Sequence, residues 1–163
     1  MIFVTVGTQL PFPRLIDAMN ALAPGLNEQV FAQAGPEADP DLWPALTLRP
    51  HLNPAEFEQL FAEARVVVAH AGIGSILSAK RLGRPLIIMP RRHSLNEHRN
   101  DHQVATARQV QSLPGIHVAW QPEDLAPLLT DPALTPASPS RSPSHDALIT
   151  RLRGFINGDT QHG

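Results

Sequence analysis

The chain of 163 residues contains no cysteine, which excludes disulfide bonds and thiolate metal sites. It also lacks an excess of charge of one sign, since 13 Lys and Arg residues stand against 15 Asp and Glu residues, a formal net charge of -2. No general basic field therefore attracts the chain to nucleic acid or to anionic lipid. With no sign of disulfide chemistry, the predicted compartment is the cytoplasm.

Long hydrophobic runs are missing as well. The apolar opening, residues 1–6, is too short for the core of a signal peptide, and no basic segment precedes it. No other run approaches the roughly 20 apolar residues that a membrane-spanning helix needs. Contact with a membrane is therefore expected only through a partner or an amphipathic surface.

Strand and helix patterns alternate along residues 1–129. The β-rich apolar runs are residues 2–6, 30–34, 46–48, 65–69, 85–89 and 117–119, and the helical patterns are residues 13–22, 54–64, 75–82, 96–110 and 122–129. This order predicts a Rossmann-like α/β domain, a doubly wound parallel sheet that binds ligands beyond the carboxyl ends of its strands. The run 65–69 is apolar throughout, so it is predicted to be a central strand covered on both faces.

The C-terminal part of the sequence is different. Residues 130–144 are mostly Pro, Ser, Ala and Thr, and their four prolines prevent regular structure, so the segment is interpreted as a linker. Residues 145–157 carry an apolar stripe that predicts a helix, which docks either on this domain or on a partner chain. The stripe consists of Leu148, Ile149, Leu152, Phe155 and Ile156.

The clearest site signal lies where the run 65–69 passes through Gly72 and Gly74 into a helix. Glycines let backbone N–H groups approach a ligand closely, and a helix N-terminus adds unpaired donors and partial positive charge. Together these features suit a diphosphate. Because Leu77 occupies the third glycine position of the dinucleotide motif, a tight turn without a ligand is the alternative interpretation.

Two more segments follow strands of the predicted sheet and are expected at the same edge: the first turn, residues 6–9, and the polar run 90–103. An ordinary β-to-α turn is the alternative for the first, and a solvated helix face for the second. Gln33 ends the second apolar run and is interpreted as a structural amide with its hydrogen bonds satisfied.

His98 and His102 are four residues apart on a predicted helix, which raises a zinc hypothesis. The zincin pattern requires Glu directly after the first histidine, and Arg99 is there instead. A metal site is therefore not predicted.

Five ordered motifs carry a family resemblance across residues 1–129: residues 3–8, 32–35, 70–77, 83–91 and 96–103. In these motifs the sequence resembles the family 28 glycosyltransferase C-terminal domain. Within that family it is most similar to the stand-alone Alg13-like subunits and the PssE- or EpsF-like subunits of exopolysaccharide assembly. The resemblance implies the C-terminal, donor-binding half of a GT-B glycosyltransferase.

Carried over residue by residue, the resemblance implies two groups of donor-binding residues. Those around the diphosphate are Gly7, Thr8, Gly72, Gly74, Ser75 and Arg91. Those near the sugar or the nucleotide are His70, Ser78, Glu97, His102 and Gln103. Ser78 stands where related enzymes often hold the ribose with a carboxylate, so it can accept a hydrogen bond there but carries no charge.

The reaction that the resemblance implies is an inverting hexosyl or N-acetylhexosaminyl transfer from a UDP-sugar, with no metal or other cofactor. A membrane-associated Alg14- or PssD-like subunit would bind the lipid-linked glycan acceptor, supply the catalytic base and hold this chain at the inner membrane face. Two alternatives stay open. One is a self-sufficient small enzyme with His98 or His102 as its base, and the other is a non-catalytic regulatory subunit.

Overall fold

A computed structural model of the protein describes residues 1–8, 10–138 and 150. The predicted C-terminal helix, apart from Thr150, the second half of the predicted linker and Gln9 of the first turn lie outside these residues. The strands within them are β1 Ile2–Thr5, β2 Val30–Gln33, β3 Thr47–Arg49, β4 Val66–His70, β5 Leu86–Met89 and β6 Ile116–Val118. The α-helices are α1 Pro13–Leu22, α2 Pro54–Glu63, α3 Ile73–Leu82, α4 His102–Val110 and α5 Leu125–Leu129.

The described strands form one parallel sheet in the order β3-β2-β1-β4-β5-β6. This is the strand order of a doubly wound α/β fold, so the predicted fold class is confirmed. The order reverses between β1 and β4, because the chain continues from β1 toward β2 on one side and from β4 toward β5 on the other. The loops after β1 and β4 therefore diverge and leave a crevice at the carboxyl edge of the sheet.

Hydrophobic residues cover both faces of the sheet. Val66 and Val68 of β4 pack into the cluster that contains Ile16 of α1, and Val67 packs into the cluster that contains Phe61 of α2. All three valines are fully buried. The apolar run thus forms a central strand because both of its faces are covered, as predicted.

The loop before α4 is a correction to the predicted secondary structure. The sequence pattern predicts a helix from residue 96, but α4 begins at His102. Asn96 adopts a left-handed conformation with φ of 57°. The side chains of Asn100 and Asp101 accept hydrogen bonds from the backbone N–H groups of His102 and His93. These local bonds compete with helix formation, so His98 precedes the helix and does not share a helix face with His102.

Residues 131–138, the first half of the predicted linker, pack against the domain without forming a helix or strand. Ala137 is 3% exposed, and its N–H group donates to the carbonyl oxygen of Arg84 at 3.2 Å. Leu134 packs against the cluster on the α1 side of the sheet. The Thr135 carbonyl oxygen lies 3.3 Å from Nε2 of His117. The contacts with Arg84 and Gly115 place this segment at the amino ends of β5 and β6, opposite the crevice.

Gly115 provides a test of that packing, because a Cβ atom there would overlap the backbone of Pro136 and Ala137. Gly115 also has φ of +82°, which an L side chain rarely adopts. We expect Gly115→Ala to lower the free energy of unfolding by about 2 kcal/mol, measured by urea denaturation. Gly35→Ala is the matched control, since Gly35 has a similar φ of +87° but its Cβ atom would make only an ordinary contact, 3.9 Å from Val6. Equal stability of the two variants would show that the packing of Pro136 and Ala137 on Gly115 does not stabilise the fold.

Candidate functional site

A cleft of about 530 Å³ opens at the crevice predicted by the strand order. The loop after β1 contributes Gly7 and Thr8 to its lining, and the start of α3 contributes Gly74 and Ser75. Further lining comes from the segments after β3 and β5. The carboxyl ends of several parallel strands therefore meet at one site, as is typical of ligand sites in this fold class.

The N-terminus of α3 faces this cleft without a side-chain cap. Gly72 is the N-cap residue, has no side chain, and so makes no side-chain cap hydrogen bond to the first turn. The first N–H groups of an α-helix have no partner within the helix and carry partial positive charge. A Cβ atom built on Gly74 would meet nothing within 4 Å, so the space beside this helix turn is open. The local geometry suits an anionic group.

Two glycines are required around the His70 ring. A Cβ atom on Gly7 would lie 2.8 Å from Nε2 of His70, and one on Gly72 would lie 2.7 Å from the same atom. Gly7 also has φ of +81°. The loops after β1 and β4 can close on the imidazole only because both positions lack a side chain.

Gln33 fits the interpretation made from the sequence. Its Oε1 atom accepts a hydrogen bond from the Thr5 hydroxyl at 2.7 Å. Its Nε2 atom donates to the carbonyl oxygens of Gly7 and Pro50 at 3.1 and 3.0 Å. Gln33 lines the cleft, but its side chain is a satisfied amide that joins the loops after β1 and β3.

Arg91 is 2% exposed and directly follows Pro90 in the loop after β5. Its guanidinium supports the loop after β1. It donates to the carbonyl oxygens of Pro11, Val6 and Leu10 at 2.5, 2.6 and 2.8 Å. It also lies over the Phe12 ring, 4.6 Å from the centroid. Burial lowers the pKa of Arg91 to about 10, so the group stays charged at neutral pH. The phosphate contact that the resemblance implies for Arg91 stays a prediction.

Glu97 is held by an arginine from α1. Arg14 donates to both of its carboxylate oxygens at 2.8 Å, and the backbone N–H group of Arg92 donates to one of them at 3.1 Å. The Glu97 side chain is 8% exposed. This ion pair fastens the loop after β5 to the first turn of α1.

Gln103 connects the ends of β4 and β5. Its Oε1 atom accepts hydrogen bonds from the backbone N–H groups of Ala71 at 3.2 Å and Arg91 at 3.1 Å. Its Nε2 atom lies 3.0 Å from Nδ1 of His70. Burial lowers the pKa of His70 to about 4, and the charges of Arg91 and His98 lower it as well.

The structure brings together most of the residues assigned to donor binding. The predicted site residues that line the cleft are Gly7, Thr8, His70, Gly72, Gly74, Ser75, Ser78, Arg91 and Gln103. The described lining residues do not include Glu97 or His102. The sequence analysis did not single out His51, Leu52 or Phe57, which line the cleft near the end of β3. Only their position could have indicated them, because residues 51 and 52 lie in the loop that follows the predicted strand 46–48.

Within the ranges the structure describes, no three His, Cys, Asp or Glu side chains are grouped so that they could hold a metal ion. The same ranges contain no helix with the length and apolar composition needed to cross a bilayer.

A match to a family model decides which family the chain belongs to. The family model for the glycosyltransferase family 28 C-terminal domain matches residues 1–138, most of the chain. The chain belongs to this family. The match includes the packed segment 131–138, beyond the predicted domain end at residue 129.

Individual relatives of this family 28 domain agree with the assignment. A UDP-N-acetylglucosamine--N-acetylmuramyl-(pentapeptide) pyrophosphoryl-undecaprenol N-acetylglucosamine transferase from Rhodospirillum centenum is 30% identical over 157 residues, covering 84% of this chain. The chain spans 40% of the length of that relative.

Solved glycosyltransferase structures share the fold. The kitacinnamycin glycosyltransferase is 18% identical with a TM-score of 0.59, and the match covers 96% of this chain and 39% of that one. A Streptomyces sp. SF2575 glycosyltransferase in complex with thymidine diphosphate is 18% identical with a TM-score of 0.53, over 96% of this chain and 37% of that one. These likenesses establish the GT-B type of Rossmann-like domain.

Proposed function

We propose that this chain is the donor-binding half of a two-component inverting glycosyltransferase that uses a UDP-sugar. The observation that carries the proposal is the uncapped N-terminus of α3, which opens into the cleft beside the unoccupied volume at Gly74. A helix N-terminus at the switch point of a parallel sheet is suited to a diphosphate. Two names add support: the Rhodospirillum centenum relative is a UDP-N-acetylglucosamine transferase by name, and one structural neighbour was solved with thymidine diphosphate.

The chemistry expected at this site is a displacement at the anomeric carbon. An acceptor hydroxyl attacks that carbon, the bond to the diphosphate oxygen breaks, and the electron pair leaves with the diphosphate. The α3 N-terminus would stabilise this growing charge, and the hydroxyl groups of Thr8 and Ser75 lie in the same lining. We expect no metal to be required, because fixed dipoles supply the positive potential.

The opposite part of the cleft suits the nucleoside. Leu52 and Phe57 contribute apolar surface there, and the exposed His51 lies at its rim. Ser78, on the first turns of α3, can accept a hydrogen bond from a ribose hydroxyl. Glu97 is paired with Arg14, so in the proposed complex its contribution to sugar binding is to hold the loop after β5. The transferred group is proposed to be hexosyl or N-acetylhexosaminyl.

A second chain is proposed for the acceptor. The chain spans 40% and 39% of the lengths of two glycosyltransferases that it matches, and we propose that an acceptor-binding half acts together with it. Leu10 and Leu95 are 43% and 50% exposed on the loops after β1 and β5, where a partner that closes the cleft would contact them. We assign the catalytic base, the lipid-linked glycan acceptor and attachment to the inner membrane face to that Alg14- or PssD-like partner. The proposed pathway is exopolysaccharide or lipid-linked glycan assembly.

Calorimetric titration with UDP and a panel of UDP-sugars tests the proposal, with and without the partner. We expect UDP to bind the lone chain and sugar transfer to require both chains. An absence of binding heat with UDP would favour the non-catalytic regulatory subunit instead. Turnover by the lone chain would favour the self-sufficient enzyme.

A further inference from the structure

The orientation of the Gln103 amide is fixed by two backbone donors. The N–H groups of Ala71 and Arg91 both point at the same amide atom, at 3.2 and 3.1 Å. Only the amide oxygen can accept from two N–H groups, so the NH₂ group must occupy the other position. That NH₂ group lies 3.0 Å from Nδ1 of His70. Gln103 is 9% exposed, so water has little access to replace these partners.

The NH₂ group in turn fixes the protonation of His70. It can only donate, so Nδ1 of His70 must be the acceptor and carries no proton. An imidazolium, or the Nδ1–H tautomer, would direct an N–H group at the amide N–H group. The proton of the neutral ring is therefore on Nε2, the nitrogen that lies between Gly7 and Gly72 at the edge of the cleft.

We infer that Gln103 is a positioning residue that locks His70 as its neutral Nε2–H tautomer, so that His70 offers the bound ligand a fixed hydrogen-bond donor and is not a general base. The identity of the ligand atom, an oxygen of the donor diphosphate, rests on the proposed function. The tautomer itself does not, because it follows from hydrogen bonds of the chain alone.

The other groups around His70 also favour its neutral form. Arg91, from the loop after β5, and His98, from the loop before α4, both disfavour a positive charge on the ring, and burial disfavours it most. The pKa of His70 therefore lies at about 4. The Nε2–H donor therefore keeps the same form from mildly acidic to alkaline pH. Such a preset donor needs no proton transfer when charge grows on the ligand.

The wild-type chain gives the first test, by long-range ¹H–¹⁵N spectroscopy of its histidine rings. We expect a pyridine-like Nδ1 and a pyrrole-like Nε2 for His70, unchanged from about pH 8 down to about pH 5. His70→Gln identifies the signals. A pyrrole-like Nδ1, or two pyrrole-like nitrogens near neutral pH, would overturn the inference without any substitution at Gln103.

Gln103→Glu gives the second test. One carboxylate oxygen can keep the two backbone hydrogen bonds, while the other replaces the NH₂ donor with an acceptor. We expect protonation of Nδ1 and a rise of about 1–3 pH units in the pKa of His70. The His117 signals are an internal control, because its ring contacts the Thr135 carbonyl at the other end of the sheet. An unchanged ¹H–¹⁵N spectrum of the His70 ring in the folded variant would overturn the inference that Gln103 fixes the tautomer.

UDP affinity tests the donor role separately. Between about pH 7 and about pH 8.5, where the terminal phosphate of UDP is largely ionised, we expect the wild-type affinity to be constant. In Gln103→Glu we expect it to fall over this range, by up to about 10-fold where the His70 pKa reaches about 7, as the remaining imidazolium becomes an Nδ1–H tautomer whose Nε2 lone pair faces the phosphate. Equal pH profiles would overturn the donor role. If UDP fails to bind the wild-type chain, the proposed function and the donor role of His70 fail together. The ring spectrum of the free chain still tests whether Gln103 fixes the tautomer of His70.

Discussion

Gly74→Val is expected to weaken UDP binding by at least about 100-fold, or about 2.7 kcal/mol, while the chain stays folded. The Cβ atom of residue 74 would enter open space, with no neighbouring atom within 4 Å. The valine methyl groups would occupy the volume beside the α3 N-terminus that we assign to the diphosphate. The phosphate oxygens would then lose several charge-assisted hydrogen bonds to backbone N–H groups. Calorimetry with UDP measures the loss, and far-ultraviolet circular dichroism monitors the fold.

Gly74→Ala is the matched control for this prediction. It adds a single methyl group at the same position and improves helix propensity, so we expect slightly higher stability and a much smaller loss of affinity. A graded loss from glycine through alanine to valine would indicate steric exclusion of the ligand. An unchanged dissociation constant for folded Gly74→Val would place the diphosphate elsewhere and refute the site assignment.

Arg91→Met is expected to lower the free energy of unfolding by about 3–5 kcal/mol. The guanidinium is 2% exposed and donates to three backbone carbonyl oxygens, of Val6, Leu10 and Pro11. Methionine fills much of the same volume but leaves those buried carbonyls without their donor, and each unsatisfied group costs about 1–3 kcal/mol. Urea denaturation followed by tryptophan fluorescence measures the change.

Arg92→Met is the control, because Arg92 is adjacent in sequence and its side chain donates to the carbonyl oxygen of Trp120. We expect a loss of no more than about 1 kcal/mol for that variant. If Arg91→Met unfolds at the same urea concentration as Arg92→Met but binds UDP poorly, Arg91 acts on the ligand directly. That result would support the phosphate contact predicted from the sequence over the supporting role seen in the structure.

The sheet and the glycine turn could be predicted from sequence because their signals are local. A run of valines at residues 66–68 indicates a strand covered on both faces. Gly83 marks the end of the helix that follows, which begins at Ile73, two residues before the predicted start. Asn53 likewise indicates a helix start, and its side chain accepts from the N–H group of Glu56 in a capping box. Neighbouring residues determine each of these features.

The roles of the polar residues in the loop after β5 could not be predicted in the same way. Glu97 pairs with Arg14, 83 positions away, and Arg91 supports a loop 80 to 85 positions away. The sequence alone does not show such partners, because the distant loops meet at one edge of the sheet only in the folded chain. The predicted start of a helix at residue 96 was wrong for a related reason, since helical spacing does not show that Asn100 and Asp101 bond the backbone locally.

The hydrogen bonds of Arg91 and Gln103 affect how fast a ligand enters and leaves the cleft. The loop after β5 is fixed to the loop after β1 through the guanidinium, and to the end of β4 through the amide oxygen. Moving any one of these segments alone would break buried hydrogen bonds, so little conformational entropy remains to be lost when a ligand enters. We therefore expect the donor to associate quickly with the lone chain. In the proposed two-chain enzyme, we expect UDP release to follow the opening of its two halves relative to each other.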